Sequence, residues 1–257
     1  MATRLPTVHS SQITTNSCSG TPVEGTKDRA SRDRKRLPSW FKTSLPIGKS
    51  QSVYNSTMAS VKDNDLNTVC VEARCPNIHD CWGRGTATFM IAGDVCTRGC
   101  RFCAVNTAKT PPPLNPDEPE DLATAIESMG INHAVITVVN RDDLPDGGAD
   151  HYRKCIMAVN DRCPDVGIEL LCSDLDGNLE SLKKLLNGLP IRVFAHNVEC
   201  VPRLDKIVRD RRASFLQSLE ILSEAKNLRP DLKTKTSIMV GIGETDSEVI
   251  EAMEMIR

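Results

Sequence analysis

The sequence has no apolar run approaching the roughly 18 residues that a membrane-spanning helix needs, and no apolar signal-peptide core precedes its cysteines. Insertion into a membrane is therefore not expected. Charge is not in excess either: 32 Lys and Arg against 34 Asp and Glu leave a net charge of −2, which argues against a nucleic-acid or other generic polyanion partner. Also missing is a cysteine framework spread for disulfides. Six of the 11 cysteines are clustered, so a reducing compartment is expected. Residues 1–38 lack hydrophobic periodicity, and Lys27 to Arg36 holds six basic residues with only Asp28 and Asp33 among them. That stretch reads as a disordered, solvated tail, with Trp40 and Phe41 anchoring the extension that follows.

What is present is sulfur at metal-ligand spacing. Cys70, Cys75 and Cys81 form C-x4-C-x5-C, and Cys96, Cys100 and Cys103 form C-x3-C-x2-C. Thiolates select iron–sulfur clusters, zinc or copper(I), and a set of three leaves one metal position without a cysteine. A zinc knot is the competing structure. It ordinarily wants four ligands at paired spacing, whereas this sequence offers three and three.

From Thr86 onward short β-rich runs at 86–93, 134–140, 167–172, 191–196 and 235–242 alternate with amphipathic segments. Strand and helix repeated five times predict an α/β fold, a parallel sheet or (β/α) barrel. Leu122, Ile126 and Met129 share one helical face with Gly130 as a stop; Tyr152, Ile156 and Val159 repeat the spacing, as do Leu179, Leu182 and Leu186, then Phe215, Leu219 and Leu222. Thr245 with Glu248 makes a capping box for a fifth helix. Prolines at 111, 112, 113, 116 and 119 predict an extended loop after the second triplet. The expected domains are a tail over 1–38, an extension over 39–85 carrying the first triplet, and a partial barrel over 86–257 that reads as C-terminally truncated.

Cys96, Cys100 and Cys103 follow the first strand, where α/β folds place active sites. Asn140, Arg141, Asp142 and Asp143 follow the second strand and should face the same mouth. Asn197 and Glu199 end the fourth strand. Alternation turns His196 away from the mouth, so it reads as structural. Arg209 and Arg212 follow on the next loop as candidate carboxylate binders. Asp174 to Asn178 reads as a turn and helix cap, and Cys18, Cys155, Cys163, Cys172 and Cys200 as core or incidental thiols.

C-x3-C-x2-C with Phe102 before the last cysteine resembles the signature of the radical S-adenosylmethionine (SAM) superfamily. Val71 to Ile78 with Cys81-Trp82, Thr86 to Ile91, Cys96 to Cys103, Asn140 to Gly148, Ala195 to Glu199 and Lys235 to Thr245 closely resemble one of its families, the lipoyl synthases. The resemblance implies a radical SAM partial barrel with about five of six repeats. It further implies two [4Fe-4S] clusters and S-adenosyl-L-methionine as cofactors: Cys96, Cys100 and Cys103 would hold the catalytic cluster, and Cys70, Cys75 and Cys81 an auxiliary one that donates sulfur. Phe102, Asn140, Arg141, Asp142, Asn197, Glu199 and Arg209 are the expected cofactor contacts, with the Gly241 to Glu244 backbone near the adenine.

The implied activity is insertion of two sulfur atoms at carbons six and eight of a protein-bound octanoyl group. Its partners would be octanoylated lipoyl-domain proteins, namely glycine cleavage H protein and 2-oxoacid dehydrogenase acyltransferase subunits, and a reducing electron donor. The family's serine ligand, in an Arg-Ser-Ser motif, is not found after Glu244. An inactive truncated form and a zinc-binding structural protein are the alternatives. Cytoplasm is the expected location, with a mitochondrial or plastid matrix as the alternative.

Overall fold

The computed structural model describes residues 47–63, 68–72 and 75–257. The tail expected over 1–38, and Trp40 and Phe41, lie outside them. The described residues open with helices α1 (Lys49–Asp63), α2 (Val69–Glu72) and α3 (Ile78–Gly83). Strand β1 (Thr86–Ile91) follows, then a two-stranded parallel ladder of β2 (Val95–Cys96) and β3 (Asn106–Thr107) that the sequence had not signalled. Next come α4 (Glu118–Met129), β4 (His133–Val138), α5 (Ala149–Arg162), β5 (Gly167–Leu171) and α6 (Leu179–Leu186). The chain closes with β6 (Val193–Ala195), α7 (Asp205–Val208), α8 (Phe215–Leu228), β7 (Lys233–Lys235) and α9 (Asp246–Ile256).

Among the described residues, five strands form one parallel sheet in the order β1-β4-β5-β6-β7. The order never reverses, so the sheet is of the barrel type, a partial (β/α) barrel whose strand C-termini make one continuous rim. Ile126 of α4, Ile136 of β4, Ile156 of α5, Leu170 of β5 and Phe194 of β6 are each fully buried in one core. The leucine stripe of α6 does the same through Leu182, Leu185 and Leu186.

The helix boundaries follow local chemistry. Gly130 ends α4 in the left-handed region at φ 58°. Asn178 caps α6 by accepting from the Ser181 N–H at 3.0 Å. Thr245 and Glu248 form both halves of the capping box of α9. Gly148 sits at φ 92°, and a Cβ there would lie 2.7 Å from the Tyr152 hydroxyl oxygen. Only glycine lets the β4–α5 turn pass beneath that ring.

The fifth repeat departs from expectation. Its strand covers 233–235 rather than 235–242, and pairing with the β6 segment survives beyond it only as the bridge between Glu199 and Ile238. Glu199 adopts φ 65°, which breaks the regular strand geometry that a longer ladder would need.

Tyr152 shares its hydroxyl proton between the carbonyl oxygens of Gly147 at 2.8 Å and Val139 at 3.0 Å, tying the turn to the sheet. Replacing it with Phe keeps the ring but strands those carbonyls. Tyr152→Phe should lower unfolding free energy by about 1–3 kcal/mol, read by urea denaturation.

Candidate functional site

Cys96 lies in β2, and Cys100 and Cys103 on the loop after it; all three line a cavity of about 300 Å³ at the C-terminal rim of the sheet. Met90 of β1, Val138 of β4 and Leu171 of β5 supply apolar wall, and Asn140, Asn197, Glu199 and Arg209 supply polar groups. Cys96 is buried, Cys100 half-buried and Cys103 exposed. The Cys96 Sγ accepts from the N–H of Asn140 at 3.3 Å and of Arg98 at 3.4 Å, and the Cys100 Sγ accepts from the N–H of Asp210 at 3.3 Å. Such donors orient thiolates and stabilise their charge, the outer-shell role that tunes cluster ligands. Burial pushes the Cys100 thiol up, against the lowering by the Asp210 N–H and the Arg209 charge.

The loop between Cys96 and Cys100 is held by a buried cation. Arg98, 3% exposed, forks onto Asp142 through Nη2 at 2.8 Å and Nε at 2.9 Å, and reaches Asp174 through Nη1 at 2.7 Å. Asp176 closes the cage at 3.3 Å. Burial works against the Arg98 charge, but the hydrogen bonds it donates to the two carboxylates outweigh it and raise its pKa above the usual range. Burial raises Asp142, and the bonds from Arg98 and Thr97 outweigh that, leaving it below the usual carboxylate range. On the other flank Arg212 reaches the Thr97 carbonyl at 2.6 Å and Asp210 at 2.9 Å. The Gly99 N–H donates to Asp210 at 3.0 Å.

The expected contacts divide by whether they line the cavity. Asn140, Asn197, Glu199, Arg209 and Phe102 do line the cavity. Arg141 and Asp142 do not: Arg141 is used by Asp143 and the Ala92 carbonyl, and Asp142 by Arg98, Thr97 and Arg212. Gly241 to Glu244 does not line the cavity either, and the Glu244 carboxylate accepts from the N–H groups of Gly241 and Ile242. His196 does line it, since β6 stops at Ala195 and strand alternation no longer applies. Its ring nitrogens are nevertheless both used, by the Cys172 carbonyl at 2.8 Å and Ser218 Oγ at 2.9 Å, and burial lowers its pKa. Arg209 is buried, donating to the Val198 carbonyl and Ser218. Burial raises the Glu199 carboxyl despite Asn197 and the Arg209 charge.

Of the described residues in the segment carrying the first triplet, only Val69 lines the same cavity. Cys70 is buried on α2, whose neighbour Val69 lines the cavity, and the Cys75 N–H donates to the Cys70 carbonyl at 3.1 Å. Cys81 on α3 is raised first by burial, opposed by Arg84 and reinforced by Cys70. Among the described residues, neither triplet has all three sulfurs within 4.8 Å of one another. Tetrahedral zinc, with bonds of about 2.3 Å, would draw sulfurs to roughly 3.8 Å. The N–H donors to the Cys96 and Cys100 sulfurs are of the kind that serve iron–sulfur cluster ligands.

Glu118, His151 and Cys155 do gather within 4.8 Å, a trio the sequence hid because its members lie on two helices. The trio is already satisfied internally. Glu118 accepts from the N–H of Ala92 at 2.9 Å, from Gly93 at 3.3 Å and from His151, while burial pushes the Cys155 thiol up to about 12. It acts as a latch on the segment leading to Cys96, where Ala92 is held at φ 69°. Arg98 and Asp174 were also missed as site residues. Only Arg98 carried a local signal, its place inside the C-x3-C loop.

The Radical SAM superfamily profile matches residues 90–256. A second profile, the N-terminal domain of lipoyl synthase of Radical SAM family, matches residues 9–75. The chain therefore belongs to the radical SAM superfamily. The mitochondrial lipoyl synthase of Bos taurus is 48% identical over 91% of this chain and 63% of its own length, and that of Homo sapiens matches to the same extent. Within the superfamily, the relatives it resembles are lipoyl synthases. It spans about 63% of the length of these curated relatives. A solved methylornithine synthase is a more distant neighbour, at TM-score 0.49 and 13% identity over 82% of this chain and 57% of that one.

Removing the Arg98 cation strands two carboxylates under the loop. Arg98→Ala should cost about 3–5 kcal/mol, as loss of one partner of a buried ion pair does, measured by denaturant unfolding of the apoprotein. The latch predicts a pH dependence. Burial raises Glu118, but the bonds from His151 and the two N–H groups leave its folded pKa below the usual value. Its stabilisation is thus complete above the unfolded value of about 4.3 and is lost as pH falls through the lower, folded value. Glu118→Gln should flatten the fall in thermal midpoint over that acid window.

Proposed function

We propose that this chain carries out the lipoyl synthase reaction, insertion of two sulfur atoms at carbons six and eight of a protein-bound octanoyl group. The observation that carries this reading is the cavity itself: three cysteines with backbone N–H donors to two of their sulfurs, and Val69, next to Cys70 of the other triplet, in its wall. Cys96, Cys100 and Cys103 would hold one [4Fe-4S] cluster, leaving an iron for S-adenosylmethionine, and Cys70, Cys75 and Cys81 would hold the second. When bound, the first cluster supplies an electron for cleavage of S-adenosylmethionine and the second supplies sulfur.

The remaining work falls to side chains of this chain. Met90, Val138 and Leu171 keep water from the reacting carbons. Asn140 and Asn197 offer amide donors and acceptors to the cofactor's polar ends. Glu199, held in the left-handed region beside Asn197, turns a carboxyl toward the cavity as a partner for ribose hydroxyls. Arg209 keeps its charge in the wall near Cys100 and Glu199. Phe102, 43% exposed, shields the mouth. The acceptors in this reading are octanoylated lipoyl-domain proteins.

A mitochondrial setting replaces the cytoplasmic expectation, supported by the mitochondrial designation of the relatives. No helix among the described residues is long and apolar enough to cross a membrane.

Anaerobic reconstitution should load roughly eight irons per chain, two cubanes' worth, and yield 5′-deoxyadenosine with a reductant. Cys100→Ser should abolish that product with loss of about half the iron; Cys75→Ser should lose the other half and retain the product. Stoichiometric zinc without iron would overturn the proposal.

A further inference from the structure

Beside the cysteine loop the surface carries cations that no carboxylate among the described residues pairs with. Loop 97–103 runs along segment 207–213: the Arg101 N–H donates to the Val208 carbonyl at 2.9 Å, and Arg212 reaches the Thr97 carbonyl. Lys109, Arg211 and Arg212 line a shallow depression of about 420 Å³ that shares Thr97 with this loop. Three carboxylates lie here, and each is already engaged: Asp142 by Arg98 and Arg212, Asp143 by Arg141, and Asp210 by Arg212. Arg101, Lys109 and Arg211 are exposed and make no ion pair among the described residues. These three cations lie beside the cysteine loop, two of them lining the depression next to Thr97. Phe102 and Ile207, 43% and 54% exposed, sit among these cations as apolar anchors.

We infer that this rim is the docking surface for an acidic protein domain, the one that delivers the acyl chain into the cavity. The inference rests on the proposed function for the identity of the cargo. Apolar residues among solvated charges are the anatomy of a protein interface, with an aromatic anchor and a polar rim. Three free cations without stacked aromatics are too few for a nucleic-acid track, which neutralises many phosphates. Unpaired rim charges act mainly on encounter, attracting a partner of opposite sign before the anchors engage. The acyl chain then enters past Phe102, which lies on both the rim and the cavity wall.

The test is binding of an octanoylated lipoyl-domain protein of net negative charge to the full chain, followed by surface plasmon resonance at low and high salt. Wild type should bind, and the affinity should fall steeply as salt rises. The triple variant Arg101→Glu, Lys109→Glu, Arg211→Glu should bind at least about tenfold more weakly at low salt, chiefly through a slower on-rate, with an unchanged thermal midpoint. It should also lose most of the salt dependence. Equal binding by the variant, no binding by wild type, or equally tight binding of a polyuridine oligonucleotide would each overturn the inference. Cofactor cleavage is scored separately. Failed docking with 5′-deoxyadenosine formed rejects only the surface, whereas intact docking with no cofactor cleavage rejects only the sulfur-insertion reading.

Discussion

A guanidinium buried under a cysteine loop is the constraint on which the site depends. Arg98 cannot remain charged in that position without Asp142 and Asp174, and those two carboxylates follow different strands, β4 and β5. The cation therefore ties the loop after β1 to the next two repeats. A buried pair is weak evidence for stability in itself, because desolvation offsets much of the attraction. What the pair contributes is register. It fixes where the Cys96 and Cys100 sulfurs stand relative to the backbone N–H groups aimed at them.

The barrel-type sheet makes that arrangement available. Strands in unbroken sequential order bring every βα loop to one rim, so residues far apart in the chain meet there. Asp210 lies more than a hundred positions beyond Gly99, yet it accepts from the Gly99 N–H while its own N–H donates to the Cys100 sulfur. The bonds from Arg212 and from the Gly99 N–H, against a smaller effect of burial, hold the Asp210 carboxyl well below its ordinary range. The Glu118–His151 latch performs a comparable task upstream, holding Ala92 in a backbone conformation that non-glycine residues rarely adopt.

Much of this was legible in the sequence, for reasons that differ by element. The place of Cys96, Cys100 and Cys103 at the rim was legible because they follow a recognisable strand, and α4, α5, α6 and α8 because an apolar stripe repeats within each. The capping box of α9 is local too, and it formed as read. The last strand was misplaced because Ile238, Met239 and Val240 look like a strand core, while the residues that pair, Lys233 to Lys235, are exposed at an edge. His196 was misdirected by assuming strand alternation one residue past the strand's end. Arg141 and Asp142 were read as cofactor contacts from position alone. Here they bond to partners such as Ala92 and Arg98, which no local pattern encodes.

The most direct test of the account is electron paramagnetic resonance on the chemically reduced chain with Cys70, Cys75 and Cys81 all replaced by Ala. The account predicts one reduced [4Fe-4S] signal that shifts when S-adenosylmethionine is added, because three loop cysteines leave an iron for the cofactor. A signal indifferent to S-adenosylmethionine, or zinc bound in place of iron, would contradict it.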